Sequence, residues 1–316
     1  NSFITSIKED GYHRLPKDLE KKNTFSNQLI GSNIHYNGKF FELGLTGVYN
    51  VFNKVLNTTY RAYNKYYPRG KDFLNVGIDY KFFWKKFTFM GETASDKNGK
   101  IATMNMLRYS PKESFQLMVM NRFYDVAYQS IYASSIGEGS DVQNESGIYI
   151  GLETKFLQYF KLNTYGDFFY FPWKKYQMSK NGTHGFDGMF QLSYSPRYEL
   201  DMFIRYRYKN KYKDFTGEDK EKVTIPYIQQ KWKYQLNYSP VPDLMLKTTV
   251  DMVHNAYQGQ NPSMGFLVGQ SVGYKFKTFP LQLDIHGAWF HTDDYASRIS
   301  MYEKSLLYAF SIPSFY

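Results

Sequence analysis

Phe73-Leu-Asn-Val-Gly-Ile-Asp-Tyr-Lys-Phe-Phe83 decides the fold. One set of alternate positions holds Leu74, Val76, Ile78, Tyr80 and Phe82; the other holds Asn75, Gly77, Asp79 and Lys81. Successive side chains of an extended chain point to opposite faces, so this segment reads as a strand with one apolar and one wet face. Outward from it, Leu200–Lys209 and Leu244–Met252 repeat the pattern: Leu200, Met202, Ile204, Tyr206 and Tyr208 oppose Asp201, Arg205, Arg207 and Lys209. Likewise Leu244, Leu246, Thr248, Val250 and Met252 oppose Lys247 and Asp251. A soluble sandwich alternates in the same way, so alternation alone leaves the solvent open.

The links between strands decide more. Short links fall at Asn37-Gly38, Lys85-Lys86, Ser110–Ser114, Leu157–Tyr159, Ser195–Tyr198, Ser239–Asp243 and Lys277–Pro280. Longer, polar links alternate with them, at roughly 52–72, 96–100, 125–144, 174–184, 210–223, 255–262 and 292–300. Short turns on one side and longer loops on the other are the rhythm of an up-and-down outer-membrane barrel, and a Greek-key sandwich does not keep it. Tyr-Ser-Pro recurs at 109–111, 194–196 and 238–240, where proline is expected to fix the turn and tyrosine to close the strand at the membrane boundary. About sixteen strands (14–18) follow: 1–7, 28–36, 40–51, 73–83, 87–95, 101–109, 115–124, 146–156, 160–171, 186–194, 199–209, 224–238, 244–254, 264–276, 281–290 and 302–312. The fold class expected is all-β, a transmembrane up-and-down antiparallel β-barrel in the bacterial outer membrane, with residues 1–316 forming one domain.

Composition agrees. Tyr (31), Phe (27) and Trp (4) make 20% of the chain, yet mean hydropathy is −0.55. Such a chain is too aromatic for disorder. The absence of cysteine excludes disulfide staples and Cys-ligated zinc or iron–sulfur centres. No apolar run of about 18 residues exists to form a membrane helix. Aromatics flank the short turns (Phe82, Phe83, Trp84, Phe87, Phe89; Phe156, Tyr159, Phe160; Tyr274, Phe276, Phe279), as interfacial girdles do. Residues 1–7 lack the features of a signal peptide, so a mature form or an internal fragment is expected, the fragment being favoured. Residues 8–27, where Pro16 can start a short helix, are expected to form an extracellular loop or cap, or an inward-folded loop.

Glu42, Asp79, Lys81, Glu92, Glu153, Lys155, Asp167, Asp201, Arg205, Arg207, Lys247, Asp251 and Asp284 are the expected lumen-lining set. They would tune ion selectivity, hold a plug, or simply solvate a wet wall. Tyr60, Arg61, Tyr63, Lys65, Tyr66, Tyr67, Arg69 and Lys71 form the most cationic and aromatic loop. Rings interleaved with cations suit a sugar, a lipid phosphate or single-stranded nucleic acid, and equally a loop packed on itself or against lipopolysaccharide. His286, His291, Asp293 and Asp294 are the candidates for a barrel hydrolase, but no G-x-S-x-G and no metal-type histidine pair accompany them. The net charge of +10 is spread over many loops and names no partner.

Glu9-Asp-Gly-Tyr-His-Arg14, Tyr66-Tyr-Pro-Arg-Gly-Lys-Asp-Phe73, Phe123-Tyr-Asp-Val-Ala-Tyr128 and Gly147-Ile-Tyr-Ile-Gly-Leu-Glu153 carry a resemblance. The chain resembles the barrel part of Bacteroidota outer-membrane proteins of the helix-hairpin-helix domain-containing type. That resemblance implies a barrel preceded by a periplasmic module whose fold elsewhere contacts DNA backbones. The module is not among these 316 residues, so no DNA-binding residue is carried over. The function expected is non-enzymatic: a channel, or a structural subunit of a larger envelope complex. Uptake of an anionic polymer such as DNA is the alternative, and a hydrolase the third. Expected partners are the lipid bilayer, lipopolysaccharide and other outer-membrane or periplasmic proteins; no cofactor and no metal is indicated.

Overall fold

The computed structural model describes residues 3–7, 15–217, 219–303 and 312–316. Its elements in chain order are β1 (Phe3–Ile4), α1 (Pro16–Leu19), β2 (Asn27–Asn37), β3 (Phe41–Leu56), β4 (Gly70–Trp84), β5 (Phe87–Asp96), β6 (Ile101–Lys112), β7 (Phe115–Tyr124) and β8 (Glu145–Leu157). There follow β9 (Phe160–Phe171), β10 (Thr183–Arg197), β11 (Leu200–Thr216), β12 (Lys222–Val241), β13 (Leu244–Tyr257), β14 (Ser263–Lys275), β15 (Gln282–Thr292), β16 (Ile299–Ser300) and β17 (Ser314–Phe315). From β2 to β15 each strand pairs with the next in sequence, an up-and-down meander. Two-residue turns such as 85–86, 198–199 and 242–243 alternate with links as long as 57–69 and 125–144. Among the described residues no helix is long and apolar enough to cross a membrane.

Two compact units divide the chain. The first comprises Asn1–Tyr109, Val119–Ile148 and Phe169–Thr183; the second comprises Ser110–Met118, Tyr149–Phe168 and His184–Tyr316. In both, the register sorts side chains by face. Leu43, Leu45 and Tyr49 on β3 oppose Tyr80, Ile78 and Leu74 on β4. In the second unit Ile204 and Tyr206 on β11 oppose Tyr234 and Trp232 on β12. These apolar side chains stay open to solvent: Ile78 is 51% exposed, Ile204 57% and Trp289 67%. Water would disfavour such a continuous apolar face, whereas lipid requires it.

Several polar groups on that face bond to one another, as hydrocarbon demands. Thr93 and Thr103 share a 2.8 Å hydroxyl contact, the Tyr80 hydroxyl donates to Asn105, and the Tyr206 hydroxyl donates to Gln230 at 3.0 Å. At the short turns the rings stack: Phe87 and Tyr109 in the first unit, Phe160 and Tyr194 in the second, both with centroids 4.6 Å apart. Phe83 departs from the expected girdle, because its parity turns it to the wet face, where Lys81 Nζ lies 4.7 Å from its ring. The fold class is thus the all-β, up-and-down antiparallel β-barrel of the outer membrane.

Two expectations are corrected, and a third falls largely outside the described residues. The expected strand at 1–7 is not a wall strand over its described residues 3–7: only Phe3–Ile4 pair, parallel to the end of β3, where Ile4 packs with Phe52, Leu56 and Phe73. The expected strand at 302–312 falls mostly on residues outside those described, as do residues 8–14 of the expected cap. The Tyr-Ser-Pro prolines do not make the turns. Pro196 and Pro240 lie inside β10 and β12, between the shifted pairs Tyr194/Arg197 and Tyr238/Val241, and the chain reverses beyond them. A proline cannot donate to the ladder, so a bulge is its place in a strand.

Candidate functional site

The wet face of the first unit begins with Glu42, whose carboxylate lies 3.5 Å from Lys81 Nζ. The Asp79 carboxylate fills the space that a Cβ at Gly44 would need, and it sits 3.6 Å from His35. Glu92 lines a cavity described below. In the second unit Glu153 pairs with Lys161 at 2.8 Å, and Lys155 follows two positions along β8 on the same face. Asp167 shares its face of β9 with Tyr165, whose hydroxyl lies 3.3 Å from Asp187. Asp201 accepts from the Ser195 hydroxyl at 2.6 Å. Arg205 Nε donates to Gln191 at 2.7 Å, and Arg207 is paired with Asp187. Lys247 is opposite Asn237 and Ser271, Asp251 pairs with Lys233 at 2.9 Å, and Asp284 lies opposite Gly273.

Lys211, Lys213, Lys231 and Lys233 join this face in addition to the expected set, and Lys211 and Lys213 do so from what reads as a loop. The expected loop at 210–223 shrinks to 217–221, and β11 runs on through Lys211 and Lys213. Their Tyr- and Lys-rich context looked like loop composition, yet the alternation continues: Tyr206, Tyr208 and Tyr212 keep one face while Lys209, Lys211 and Lys213 keep the other.

The cationic-aromatic loop is largely packed on itself. Arg69 donates to the carbonyls of Asn64 and Lys65 at 3.0 and 2.9 Å. Tyr63 meets Tyr67 and Tyr176 edge to face, and Lys65 Nζ lies 5.2 Å from the rings of both Tyr66 and Trp173. Burial, then the Asp141 carboxylate bonded to it, raises the Tyr67 phenol well above the ordinary tyrosine range. Tyr60, Arg61, Lys65 and Lys71 stay exposed, and Lys71 belongs to β4 rather than to the loop.

Loop 125–144 of the first unit folds onto the wet face. Asn75 donates to the carbonyl of Gln129 at 2.9 Å, Gln129 N donates to Asp96 at 2.9 Å, and Asn27 donates to the Tyr132 hydroxyl at 2.8 Å. Tyr128 is buried against Ala102 and Tyr124. The loop's base is held by a pair that is absent from the expected set. Arg122 Nε donates to Glu145 at 2.7 Å with both side chains fully buried, and Glu145 also accepts from the backbone N–H groups of Glu138 and Gly139. Gly147 leaves room for the guanidinium, which occupies the place a Cβ would take. Between loop and wall remains a cavity of about 580 Å³, lined by Glu92, Ala94, Met104, Tyr124, Tyr128 and Ser135 among others.

In the second unit the segment after β15 likewise packs on the wet face. Asn255 donates to the Ala296 carbonyl at 2.6 Å, and Ile299 and Met301 cluster with Val253 and Leu267. Asp294 caps this turn, and the Ser263 hydroxyl 2.6 Å away holds its carboxyl below the usual range.

The histidines do not converge. His286 is on the wet face, 2.8 Å from the Ser271 hydroxyl, whereas His291 lies on the opposite face beside Phe266. They are five positions apart, and an odd interval on a regular strand puts two side chains on opposite faces. His291 is 3.6 Å from Asp293, but that carboxylate also accepts from Met264 N at 2.8 Å. Among the described residues no cluster of metal-type ligands occurs.

No protein-family model matches the chain, and no curated protein matches it. Solved structures to which the chain is similar include three from Pseudomonas aeruginosa. OccK5 (OpdH) is 11% identical with a TM-score of 0.41, covering 84% of this chain and 88% of its own. OpdL is 10% identical at 0.41 (85% and 88%), and OccK8 (OprE) is 12% identical at 0.40 (85% and 90%). This chain's own exposed apolar band, aromatic rim and alternation of short turns with longer links identify a β-barrel of the bacterial outer membrane.

Proposed function

We propose that this barrel is a non-enzymatic channel for small solutes. The observation that carries the reading is the space beneath loop 125–144. The loop is fastened to the wet wall yet leaves about 580 Å³ open against it. A loop serving only as a stopper would fill that volume with side chains, whereas Ala94, Ala102 and Ala133 keep it clear. The opposed placement of His286 and His291 weighs against the hydrolase alternative. Reconstitution of the full chain in a planar bilayer tests the reading: stepwise conductance is expected. A silent bilayer with correctly inserted protein would favour the second reading, a structural subunit whose exposed Tyr60, Arg61 and Lys71 offer a surface to envelope partners.

A further inference from the structure

Asn50 stands on the wet face of β3 among apolar neighbours. Leu29 on β2 and Phe73 on β4 are its cross-strand partners, and Val48 and Phe52 flank it along the strand on the same face. The residue is only 3% exposed, and among the described residues neither its carboxamide nitrogen nor its oxygen has a hydrogen-bond partner. A buried carboxamide left unpaired is costly, and nearly all buried polar groups in folded proteins are satisfied. An apolar side chain of the same size would suit these neighbours better, so packing does not account for asparagine here.

Asn50 lines a chamber of about 200 Å³ between the wet wall and loop 125–144, entirely within the first unit. Other polar groups of the lining are already engaged within the protein. Thr46 accepts from Asn33 at 2.7 Å, Asn75 donates to the Gln129 carbonyl at 2.9 Å, and Ser130 accepts from Ala133 N at 3.2 Å. Glu92 lines both this chamber and the larger cavity, and its cross-strand partners, Asp79 and Met104, bring no cation to it. Tyr128 belongs to both linings, and the loop adds Tyr132 to the chamber.

These groups select the chemistry of an occupant. Among the described residues no lysine, arginine or histidine lines the chamber, and the Glu92 carboxylate repels an acid. The Asn50 carboxamide presents a donor and an acceptor side by side, which two adjacent hydroxyls match, one accepting and one donating. The Glu92 carboxylate takes further hydroxyl protons, and tyrosine rings offer apolar surface to ring C–H groups. A single ammonium would answer Glu92 but leave the Asn50 N–H donors unpaired. The volume is below the roughly 300 Å³ at which drug-sized ligand pockets begin, so one ring fits and a chain does not. We infer that the chamber is a binding site for a single neutral sugar ring, with Asn50 and Glu92 as its hydrogen-bonding groups. The site needs no open lumen, so it goes beyond the channel reading and does not rest on it.

The test uses the full chain in an oxyethylene detergent, which carries no sugar headgroup. Glucose and galactose are separate probes and choline the cationic one, with contact read by saturation-transfer NMR. At least one sugar should bind saturably, and Asn50→Leu should weaken that binding about tenfold or more. The same variant should raise the thermal midpoint, because leucine suits Leu29 and Phe73. Gly77→Leu tests the volume independently. Gly77 lines the chamber, and a Cβ there meets Ala94 and Glu92 at ordinary distances of 3.5 and 3.6 Å. This variant should lose sugar contact; if one variant fails to fold, the other decides. Sugar binding unchanged in the variants overturns the assignment to this chamber. Choline binding without sugar binding overturns it in favour of an organic cation. Saturable binding of neither sugar, or a lower midpoint in Asn50→Leu, overturns the site outright. Sugar binding by a protein that is silent in the planar bilayer would remove the channel and leave the site standing.

Discussion

Arg122 and Glu145 are two ions withdrawn from water at the foot of loop 125–144, each satisfied by the other and by backbone or neighbouring groups. Removing one partner strands the other, which costs about 3–5 kcal/mol for a buried pair. Glu145→Ala should therefore release the loop: limited proteolysis between 129 and 141 should accelerate strongly while β-sheet circular dichroism is kept. Cleavage at the parent rate would show that Asn75, Asp96 and Asn27 hold the loop alone. Tyr67 makes a pH prediction. Its folded value lies above the unfolded one, so its contribution is complete below the ordinary tyrosine value and is lost as pH rises from there toward the folded value. In a spectrophotometric titration, Tyr67→Phe should lower by one the number of tyrosines that ionise late.

At the scale of the strand, face matters more than residue identity. Ile78 and Asp79 are neighbours on β4, one in the apolar band and one on the wet side. Ile78→Lys should lower folding stability in vesicles by about 2–4 kcal/mol if it lies near the bilayer midplane. Asp79→Asn should change it far less; equal effects in denaturant refolding would contradict the assignment of faces. Much of this was readable from sequence, because side-chain period and turn length are local properties. Leu74, Val76 and Ile78 against Asn75, Asp79 and Lys81 gave both faces of β4 without any partner. What escaped depends on other strands. Lys211 and Lys213 read as loop because charge and tyrosine are common to loops and wet walls, and only pairing with Tyr227 and Ile225 shows the strand going on. The inward fold of loop 125–144 needs room provided by Gly147 and Ala102 on separate strands, and no local pattern announces that.

Taken whole, the chain carries one inward-packed segment in each of its two compact units, 125–144 in the first and 293–301 in the second. Replacing residues 130–136 by two glycines should raise single-channel conductance, since Ala133, Ser134, Ser135 and Ile136 then vacate the cavity wall. Conductance that stays the same would mean the loop does not restrict flow. The run Ile204-Arg-Tyr-Arg-Tyr-Lys-Asn-Lys-Tyr-Lys213 also bears on how the protein is assembled. Were β11 to slip by one residue against β12 during insertion, all five cations would turn into hydrocarbon. At about 2–4 kcal/mol for a cation near the midplane and about 0–1 toward the interfaces, the misaligned barrel would lie several kcal/mol above the native one. A slip of two residues between these strands keeps every face correct, and charge does not guard against it. Charge thus forbids odd errors of alignment between β11 and β12, and the run of cations acts as an editor of strand pairing.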